Sequence, residues 1–254
     1  MRNTTANTLE RLFSLERRVG IVTGASSGIG EGIAQVLANA GAKVYDLSRR
    51  GKGDIEHTNI VRIPVDITDN ERVKKIVDEI GEKEGLDFLI NNAGITKRWR
   101  AGDVSKEYWD KIHNLNLDAV FHMSQFSYPY LKKSSYIGRI VNISSMAAHL
   151  GFEEVVPYCS TKAGVLGITR GLAVEWVNDN ILVNSVAPGW IPSQMSIGVM
   201  DDNRKEKILS RMALHKFGEP EDIGTMVLYL VSNAGKYITG QDFAVDGGAL
   251  CYGY

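Results

Sequence analysis

Short apolar runs alternate with longer, mixed segments from Val19 almost to the end of the chain. The runs are rich in Val and Ile and mostly free of charge, which is typical of strands that are covered on both faces. They predict seven strands: Val19–Thr23, Lys43–Ser48, Val61–Val65, Phe88–Asn91, Arg139–Ser144, Leu182–Val186 and Asp242–Val245.

The segments between these runs carry helical signals, and the predicted helices include Gly30–Ala40, Asn70–Glu84 and Pro157–Asn178. In the second of them, apolar residues recur at the spacing of one helix face, at Val73, Ile76, Val77 and Ile80. Repeated strand–helix–strand units imply right-handed crossovers and a parallel sheet. No linker, low-complexity tract or repeat divides residues 19–254. We therefore predict a single α/β domain with a doubly wound parallel sheet flanked by helices.

Composition and charge narrow the classes of function. The formal net charge of −1 provides no basic field for binding nucleic acid. The chain lacks the run of about 18 uncharged apolar residues that a membrane span needs. Cys159 and Cys251 are far apart, and the five histidines show no ligand spacing. We expect neither a disulfide framework nor a metal site.

Residues 1–18 precede the first predicted strand and lack the apolar core of a secretory signal. A transit peptide is disfavoured by Glu10 and Glu16. We interpret this segment as a flexible leader or a short capping helix. The expected location is the cytoplasm.

A glycine-rich turn, TGASSGIG, spans residues 23–30 between the first strand and the first helix. Glycines allow a pyrophosphate to approach main-chain N–H groups, and the helix that follows offers unpaired donors. The Gly-Lys-Ser/Thr ending of a P-loop is missing. An ordinary tight connection is the alternative, but the position in the first strand–helix–strand unit favours nucleotide binding.

The variant Gly-x-x-x-Gly-x-Gly, with a Thr before it, resembles the short-chain dehydrogenase/reductase family. The resemblance extends over nearly the whole chain, through Asp66, Asn91–Gly94, Asn116 and Pro188–Gly189. It implies a Rossmann-type fold and a nicotinamide dinucleotide cofactor. The cofactor-binding residues that it implies are Gly24, Ser26, Ser27, Gly28, Ile29, Gly30, Ser48, Arg49, Asp66, Ile67, Asn92, Ala93, Gly94, Tyr158, Lys162, Pro188, Gly189 and Ile191.

Tyr158 and Lys162 are four residues apart, so they share one face of a helix. A phenol titrates near ~10, and a neighbouring ammonium is expected to lower that pKa toward neutrality. In isolation such a pair is often a surface pair. Here Ser145 precedes Tyr158 by thirteen residues at the end of a predicted strand. Ser144 is the alternative to Ser145.

The resemblance gives these residues catalytic roles. Ser145 is expected to orient the substrate oxygen, and Tyr158 to exchange a proton with it. Lys162 is expected to hold the nicotinamide ribose, and Asn116 to position a water that continues the proton relay through Lys162.

The end of the second predicted strand bears on the choice of cofactor. Asp46 is a candidate ligand for the ribose 2′-hydroxyl of NAD, but the family alignment places Ser48 and Arg49 at the diagnostic tip. Both can contact a 2′-phosphate. A second basic position of NADP-dependent relatives is Ser27 here, and Arg50 could equally be solvated. NADP(H) is the preferred cofactor, with NAD(H) as an alternative.

Residues 97–100 read KRWR on a loop at the carboxyl end of a strand, and Arg98 is a candidate for binding a substrate carboxylate. A solvated loop is the alternative. Several segments resemble the branch that contains gluconate 5-dehydrogenases and 2-deoxygluconate 3-dehydrogenases: Asn114–Leu117, Phe121–Gln125, Ile143–Met146, Val155–Tyr158 and Ala244–Gly248. The resemblance implies oxidation or reduction of a sugar acid. A 3-oxoacyl-thioester or general ketone reductase and a non-catalytic dinucleotide-binding regulator are the alternatives.

The resemblance also implies a lid over the substrate pocket and assembly into an oligomer. Residues from Pro188 to about Lys216 are expected to cover the substrate pocket, with Trp190 lining it. Related folds usually assemble as tetramers, so a homotetramer or homodimer is expected. The contacts would come from Asn114–Lys132, Pro157–Asn178 and the stretch ending at Tyr254.

Overall fold

The computed structural model describes residues 2–192 and 202–252. Its centre is a seven-stranded parallel sheet with the order β3-β2-β1-β4-β5-β6-β7. The strands are β1 (Val19–Thr23), β2 (Lys43–Ser48), β3 (Ile60–Pro64), β4 (Phe88–Asn91), β5 (Gly138–Ile143), β6 (Ile181–Pro188) and β7 (Asp242–Val245).

Helices cover both faces of the sheet. On one face, α2 and α8 pack against each other, and Ile33 and Val227 join the same buried cluster. On the other face, α3, α5 and α6 contribute Val77, Met123 and Leu172 to a second cluster. The helices of the described residues are α1 (Arg2–Phe13), α2 (Gly28–Asn39), α3 (Asn70–Glu84), α4 (Lys106–His113), α5 (Ala119–Leu131), α6 (Val156–Glu175), α7 (Asp202–Leu209) and α8 (Pro220–Val231).

The predicted fold class is confirmed, and the differences lie at the ends of elements. Strand β3 starts one residue earlier than predicted, and Ser144 lies beyond the end of β5. Helix α6 ends at Glu175, three residues before the predicted end at Asn178. A 3₁₀ turn, Val177–Asp179, takes the place of its last predicted turn. Asn180 then adopts a left-handed conformation with φ of 61°, which turns the chain into β6.

The segment before β1 packs onto the domain. Its helix α1 is followed by Leu15, whose side chain is fully buried. The guanidinium of Arg18 is also buried, and it donates to the carbonyl of Val231 at 2.8 Å and to Asn233 at 2.8 Å. These contacts tie the segment to the carboxyl end of α8.

The strand order reverses between β1 and β4, which are neighbours in the sheet. At such a reversal the crossover helices leave toward opposite faces and open a crevice at the carboxyl ends of the strands. The fold thus places its candidate site beyond Thr23 and Asn91. Among the described residues, no helix is both long enough and apolar enough to span a bilayer.

Candidate active site

The glycine-rich turn is built for close approach of a ligand to the backbone. Gly24 and Gly28 have positive φ values of 69° and 58°, which favour glycine. A Cβ on Gly30 would lie 2.4 Å from the carbonyl oxygen of Gly24 and 2.4 Å from Nδ2 of Asn92. Helix α2 begins at Gly28, and the Ser27 side chain makes no capping hydrogen bond within the described part of the chain. The first N–H groups of α2 are therefore available to an anion.

Thr23 joins this turn to the loop after β4. Its Oγ1 accepts hydrogen bonds from the backbone N–H groups of Asn92 and Ala93, at 3.0 and 3.1 Å. The Asn92 amide donates in return to the carbonyl of Thr23, at 2.9 Å. The two loops at the sheet reversal are thereby held as one rigid unit.

A cleft of about 470 Å³ runs along these loops. Every predicted cofactor-binding residue except Ile191 lines this cleft. Ile191 lies with Trp190 at a neighbouring cavity of about 550 Å³, so the structure does not bring either residue to the cleft. The prediction missed several residues that also line the cleft, namely Leu47, Arg50, Val65, Ile95, Leu115, Ile143 and Ser144.

Tyr158 and Lys162 lie on the first turns of α6 and both face the cleft. The ammonium of Lys162 is 5.7 Å from the centre of the Tyr158 ring and donates to the carbonyl of Ile143 at 2.7 Å. Burial raises the pKa of Tyr158, and a hydrogen bond with Ser145 opposes that rise. Burial also lowers the pKa of Lys162 to about 8.

The expectation that Lys162 brings the pKa of Tyr158 below its ordinary value is therefore wrong for this arrangement. The ammonium is directed at the carbonyl of Ile143, and the partial burial of the phenol disfavours the phenolate and raises the pKa of Tyr158. In this structure the group that favours the phenolate is the hydroxyl of Ser145.

The structure separates the two adjacent serines. Ser145 caps the 3₁₀ turn Met146–Ala148, accepts from the N–H of Ala147 at 3.1 Å and is hydrogen-bonded to Tyr158. The buried hydroxyl of Ser144 instead lies 2.7 Å from Oδ1 of Asp242. Ser145 is thus the serine next to Tyr158.

Asp242 is a residue of this region that sequence reasoning missed. Its Oδ1 accepts from Ser144, and its Oδ2 accepts from Nε2 of His149 at 2.6 Å. Ser144 and His149 flank the short turn that carries Ser145. One carboxylate at the start of β7 therefore fixes both ends of that turn.

Asn116 is fully buried in a π-helical turn, Asn114–Asp118, between α4 and α5. Its Oδ1 accepts from the N–H of Ile95 at 2.9 Å, and its Nδ2 donates to the Ile95 carbonyl at 2.9 Å. The Asn116 side chain thus fixes the loop that follows β4 beside the cleft. Its predicted role in positioning a water stays a prediction.

The end of the cleft beside β2 carries positive charge. Asp46 is fully buried and accepts from the N–H of Ala25 at 2.9 Å and from Arg62 at 3.0 Å, so it faces the back of the glycine-rich turn. Ser48 donates its hydroxyl proton to Asp46 at 3.0 Å. Arg49 and Arg50 line the cleft.

Arg50 is fixed in place: its Nη2 donates to the carbonyl of Ser26 at 2.6 Å and its Nε to the Ser26 hydroxyl at 3.2 Å. Arg50 is an exposed residue, but its guanidinium is bonded to the glycine-rich turn, so it lies at the surface and is held beside the cleft.

Of the four predicted substrate residues, Tyr158 is in the lining of the cleft, whereas Ser145, Arg98 and Trp190 are not. Arg98 forms an ion pair with Glu154, so it is not a free cation at the mouth of the pocket. Trp190 packs edge-on against Phe152, with ring centres 6.5 Å apart. Within the expected lid, residues 193–201 lie outside the described part of the chain. Among the residues that the structure describes, no cluster of three or more His, Cys, Asp or Glu could hold a metal ion.

Comparison with known proteins shows the family of this chain. Residues 24–249 match the profile of the family described as enoyl-(acyl carrier protein) reductase, a division of the short-chain dehydrogenases/reductases. The chain belongs to the short-chain dehydrogenase/reductase family. It is an oxidoreductase that acts on CH–OH groups with a nicotinamide dinucleotide.

Three proteins illustrate the range of its relatives. The chain is 36% identical to a 3-oxoacyl-(acyl-carrier-protein) reductase of Thermotoga maritima, over 93% of this chain and 99% of that one. It is 35% identical to a 2-dehydro-3-deoxy-D-gluconate 5-dehydrogenase of Bacillus subtilis, over 95% and 98%. A solved structure from Beutenbergia cavernae, provisionally named an NAD(P)-dependent gluconate 5-dehydrogenase and containing NADP at low occupancy, superimposes with a TM-score of 0.85. It is 35% identical and covers 94% of this chain and 98% of its own.

Proposed function

We propose that this enzyme interconverts a secondary alcohol and a ketone in a sugar acid, such as gluconate or a deoxygluconate. The observation that carries the proposal is that Tyr158 and Lys162 both line the cleft that runs along the glycine-rich turn. The relatives that act on gluconate-type acids support this choice of substrate.

The proton chemistry follows from the geometry. The nicotinamide supplies or accepts the hydride when it is bound. Ser145 donates a hydrogen bond to the substrate oxygen and orients it toward Tyr158. Tyr158 gives its proton to the developing alkoxide in reduction and takes one up in oxidation. Because burial keeps the phenol protonated in the free protein, the reductive direction starts with the correct protonation state.

Lys162 and Asn116 have supporting roles in this proposal. Lys162 would hold the nicotinamide ribose with the donors that its bond to Ile143 leaves free, since an ammonium has three. Asn116 would hold Ile95 and a water beside Lys162, which supplies protons from solvent.

We further propose NADP(H) as the preferred cofactor, with NAD(H) as the alternative. Arg49 and Arg50 line the cleft, and Asp46 is taken up by buried contacts that keep it from a ribose hydroxyl. Replacing Arg49 by Ala is expected to raise KM for NADP(H) about tenfold or more and to leave KM for NAD(H) nearly unchanged, because only NADP carries the 2′-phosphate. Equal changes in both constants would contradict the assignment.

A second candidate is a 3-oxoacyl-thioester or general ketone reductase, which the Thermotoga maritima relative favours. A non-catalytic regulator is a third candidate, although Tyr158 and Lys162 are both present and face the cleft.

We also propose a homotetramer or homodimer in the cytoplasm. Support for assembly comes from apolar side chains that are exposed on α4, α5 and α6: Trp109, Phe121 and Val174. Light scattering on the purified protein measures the assembly directly.

The test of activity is nicotinamide absorbance with a panel of sugar acids, polyols, ketones and acyl thioesters, each with NAD(H) and NADP(H). We expect the highest kcat/KM with a gluconate-type acid. The control is Tyr158→Phe, which keeps the ring but removes the proton donor and is expected to lose most of kcat while still binding cofactor. Turnover of thioesters or neutral ketones alone would favour the second candidate. Cofactor binding without any turnover would favour the third.

A further inference from the structure

Two loops meet through a charged contact next to the active site. One is the loop after β4, which continues from the cleft-lining Ile95 to Arg98 and Trp99; the other leads into α6 and carries Glu154 four residues before Tyr158. The Arg98 guanidinium forms an ion pair with the Glu154 carboxylate. The N–H of Trp99 donates to the carbonyl of Glu154 at 2.7 Å. Side chain and backbone thus join the same two loops.

The backbone of Glu154 has an unusual conformation. Its φ is 66°, in the left-handed region that L-residues other than glycine, asparagine and aspartate seldom adopt. Such a conformation persists where the surrounding structure holds it, and these positions often have functional constraints. Here the bond from Trp99 fixes the Glu154 carbonyl while the carboxylate reaches Arg98.

The neighbouring cation Lys97 is differently engaged. Its ammonium lies 4.5 Å from the centre of the Trp99 ring. The Lys97 carbonyl accepts from the hydroxyl of Tyr108 at 3.3 Å, which anchors the loop to α4. Arg98 is therefore the cation of this loop that has a carboxylate partner among the described residues.

We propose that Glu154 is a specificity-determining residue that occupies Arg98 in place of a substrate carboxylate. This inference rests on the proposed function. A sugar acid that uses Arg98 must displace Glu154, so its binding is weakened by the ion pair that it breaks. A neutral polyol or ketone does not use Arg98 and does not meet this competition. The Arg98–Glu154 pair thus sets how strongly the site prefers acids over neutral substrates.

The Arg98–Glu154 ion pair is exposed enough to open, so that a substrate carboxylate can replace Glu154. The Arg98 and Glu154 side chains are 47% and 33% exposed, so water solvates each partner when the pair opens. Ion pairs of this kind are weak, and a bidentate guanidinium–carboxylate contact with the substrate is comparable in strength.

The test compares Glu154→Gln with Glu153→Gln. The first variant keeps the size of the side chain and removes its charge; the second makes the same change of charge at the adjacent, exposed position. We expect Glu154→Gln to lower KM for a gluconate-type acid about three- to tenfold, with kcat and the KM of a matched neutral polyol little changed. Glu153→Gln is expected to have the wild-type ratio of the two KM values.

A second pair of variants tests the mechanism. In an Arg98→Gln background, Glu154→Gln is expected to have no further effect on the acid, because the residue for which it competes is gone. The inference is overturned if Glu154→Gln leaves the acid-to-neutral ratio unchanged, if it shifts both substrates equally, or if its effect persists without Arg98.

Failure of the proposed function is distinguishable from failure of this inference. If the wild-type enzyme turns over neutral ketones or thioesters only, the proposed sugar-acid activity is wrong. Sodium gluconate is then measured as an inhibitor of that turnover. A lower Ki in Glu154→Gln but not in Glu153→Gln supports the inference, and equal Ki values overturn it. If no turnover is found, calorimetric titration of the cofactor-loaded variants with sodium gluconate makes the same comparison through Kd.

Discussion

Replacing Lys162 by Met removes a positive charge that the fold holds away from water. The residue is 4% exposed, and its ammonium donates to the carbonyl of Ile143 at 2.7 Å. Methionine has a similar length and no charge, so it can fill the space without the desolvation cost. Because burial lowers the pKa of Lys162 to about 8 from an ordinary value of 10.5, stability is expected to depend on pH through this residue.

The sign of that dependence follows from proton binding. Between pH values of about 8 and 10.5 the unfolded chain keeps the Lys162 proton while the folded protein has released it, so stability rises with pH. In this interval the free energy of unfolding increases by about 1.4 kcal/mol per pH unit. Over the whole interval the gain amounts to about 3 kcal/mol. Below pH 8 this stabilisation is absent, because the folded protein must hold the charged form.

The assay is urea unfolding of the wild type and Lys162→Met at pH 7, 8, 9 and 10, at one protein concentration. The free energy of unfolding of the wild type minus that of the variant is expected to be flat up to about pH 8 and then to rise. Tyr158 is present in both proteins, so its own titration largely cancels. Lys106→Met, which removes an ammonium from the exposed surface, controls for the change in net charge. A difference that stays constant or falls from pH 8 to 10 would refute the reasoning.

Two further substitutions test the architecture of the site. Asp242→Ala removes the acceptor of both Ser144 and His149. It is expected to lower the free energy of unfolding by about 2 kcal/mol and kcat by about tenfold, with partial recovery of both in Asp242→Asn. A folded Asp242→Ala enzyme with wild-type kcat would contradict this role. Gly30→Ala places a Cβ 2.4 Å from the carbonyl oxygen of Gly24, so the turn must shift, and the Kd of NADPH measured by fluorescence titration is expected to rise about tenfold or more. A wild-type Kd would show that the turn adapts without cost.

Features that are set by residues close to one another in sequence could be predicted from the sequence alone. The strands could be located from short, mainly apolar runs, and the signal has its clearest physical cause in β1, β4, β5 and β6, where every residue is buried. The glycine-rich turn could be located because glycine is required where the backbone is left-handed or closely approached. Tyr158 and Lys162 could be paired because a spacing of four residues places them on one helix face.

Other features depend on which distant segments meet, and a linear pattern does not record that. Arg98 is a free cation in the sequence, and only the approach of the loop before α6 gives it Glu154 as a partner. Asp242 lies 93 residues from His149 and reaches the catalytic turn because β7 pairs with β6 at the sheet edge.

The electrostatics of the catalytic pair were decided by tertiary structure for the same reason. The four-residue spacing of Tyr158 and Lys162 predicts a favourable effect of the ammonium on the phenol. The folded protein instead buries Lys162, half-buries Tyr158 and directs the ammonium at Ile143, so loss of water is the main cause of both pKa shifts. Sequence determined that Tyr158 and Lys162 share one helix face, and packing determined how much water each of them keeps.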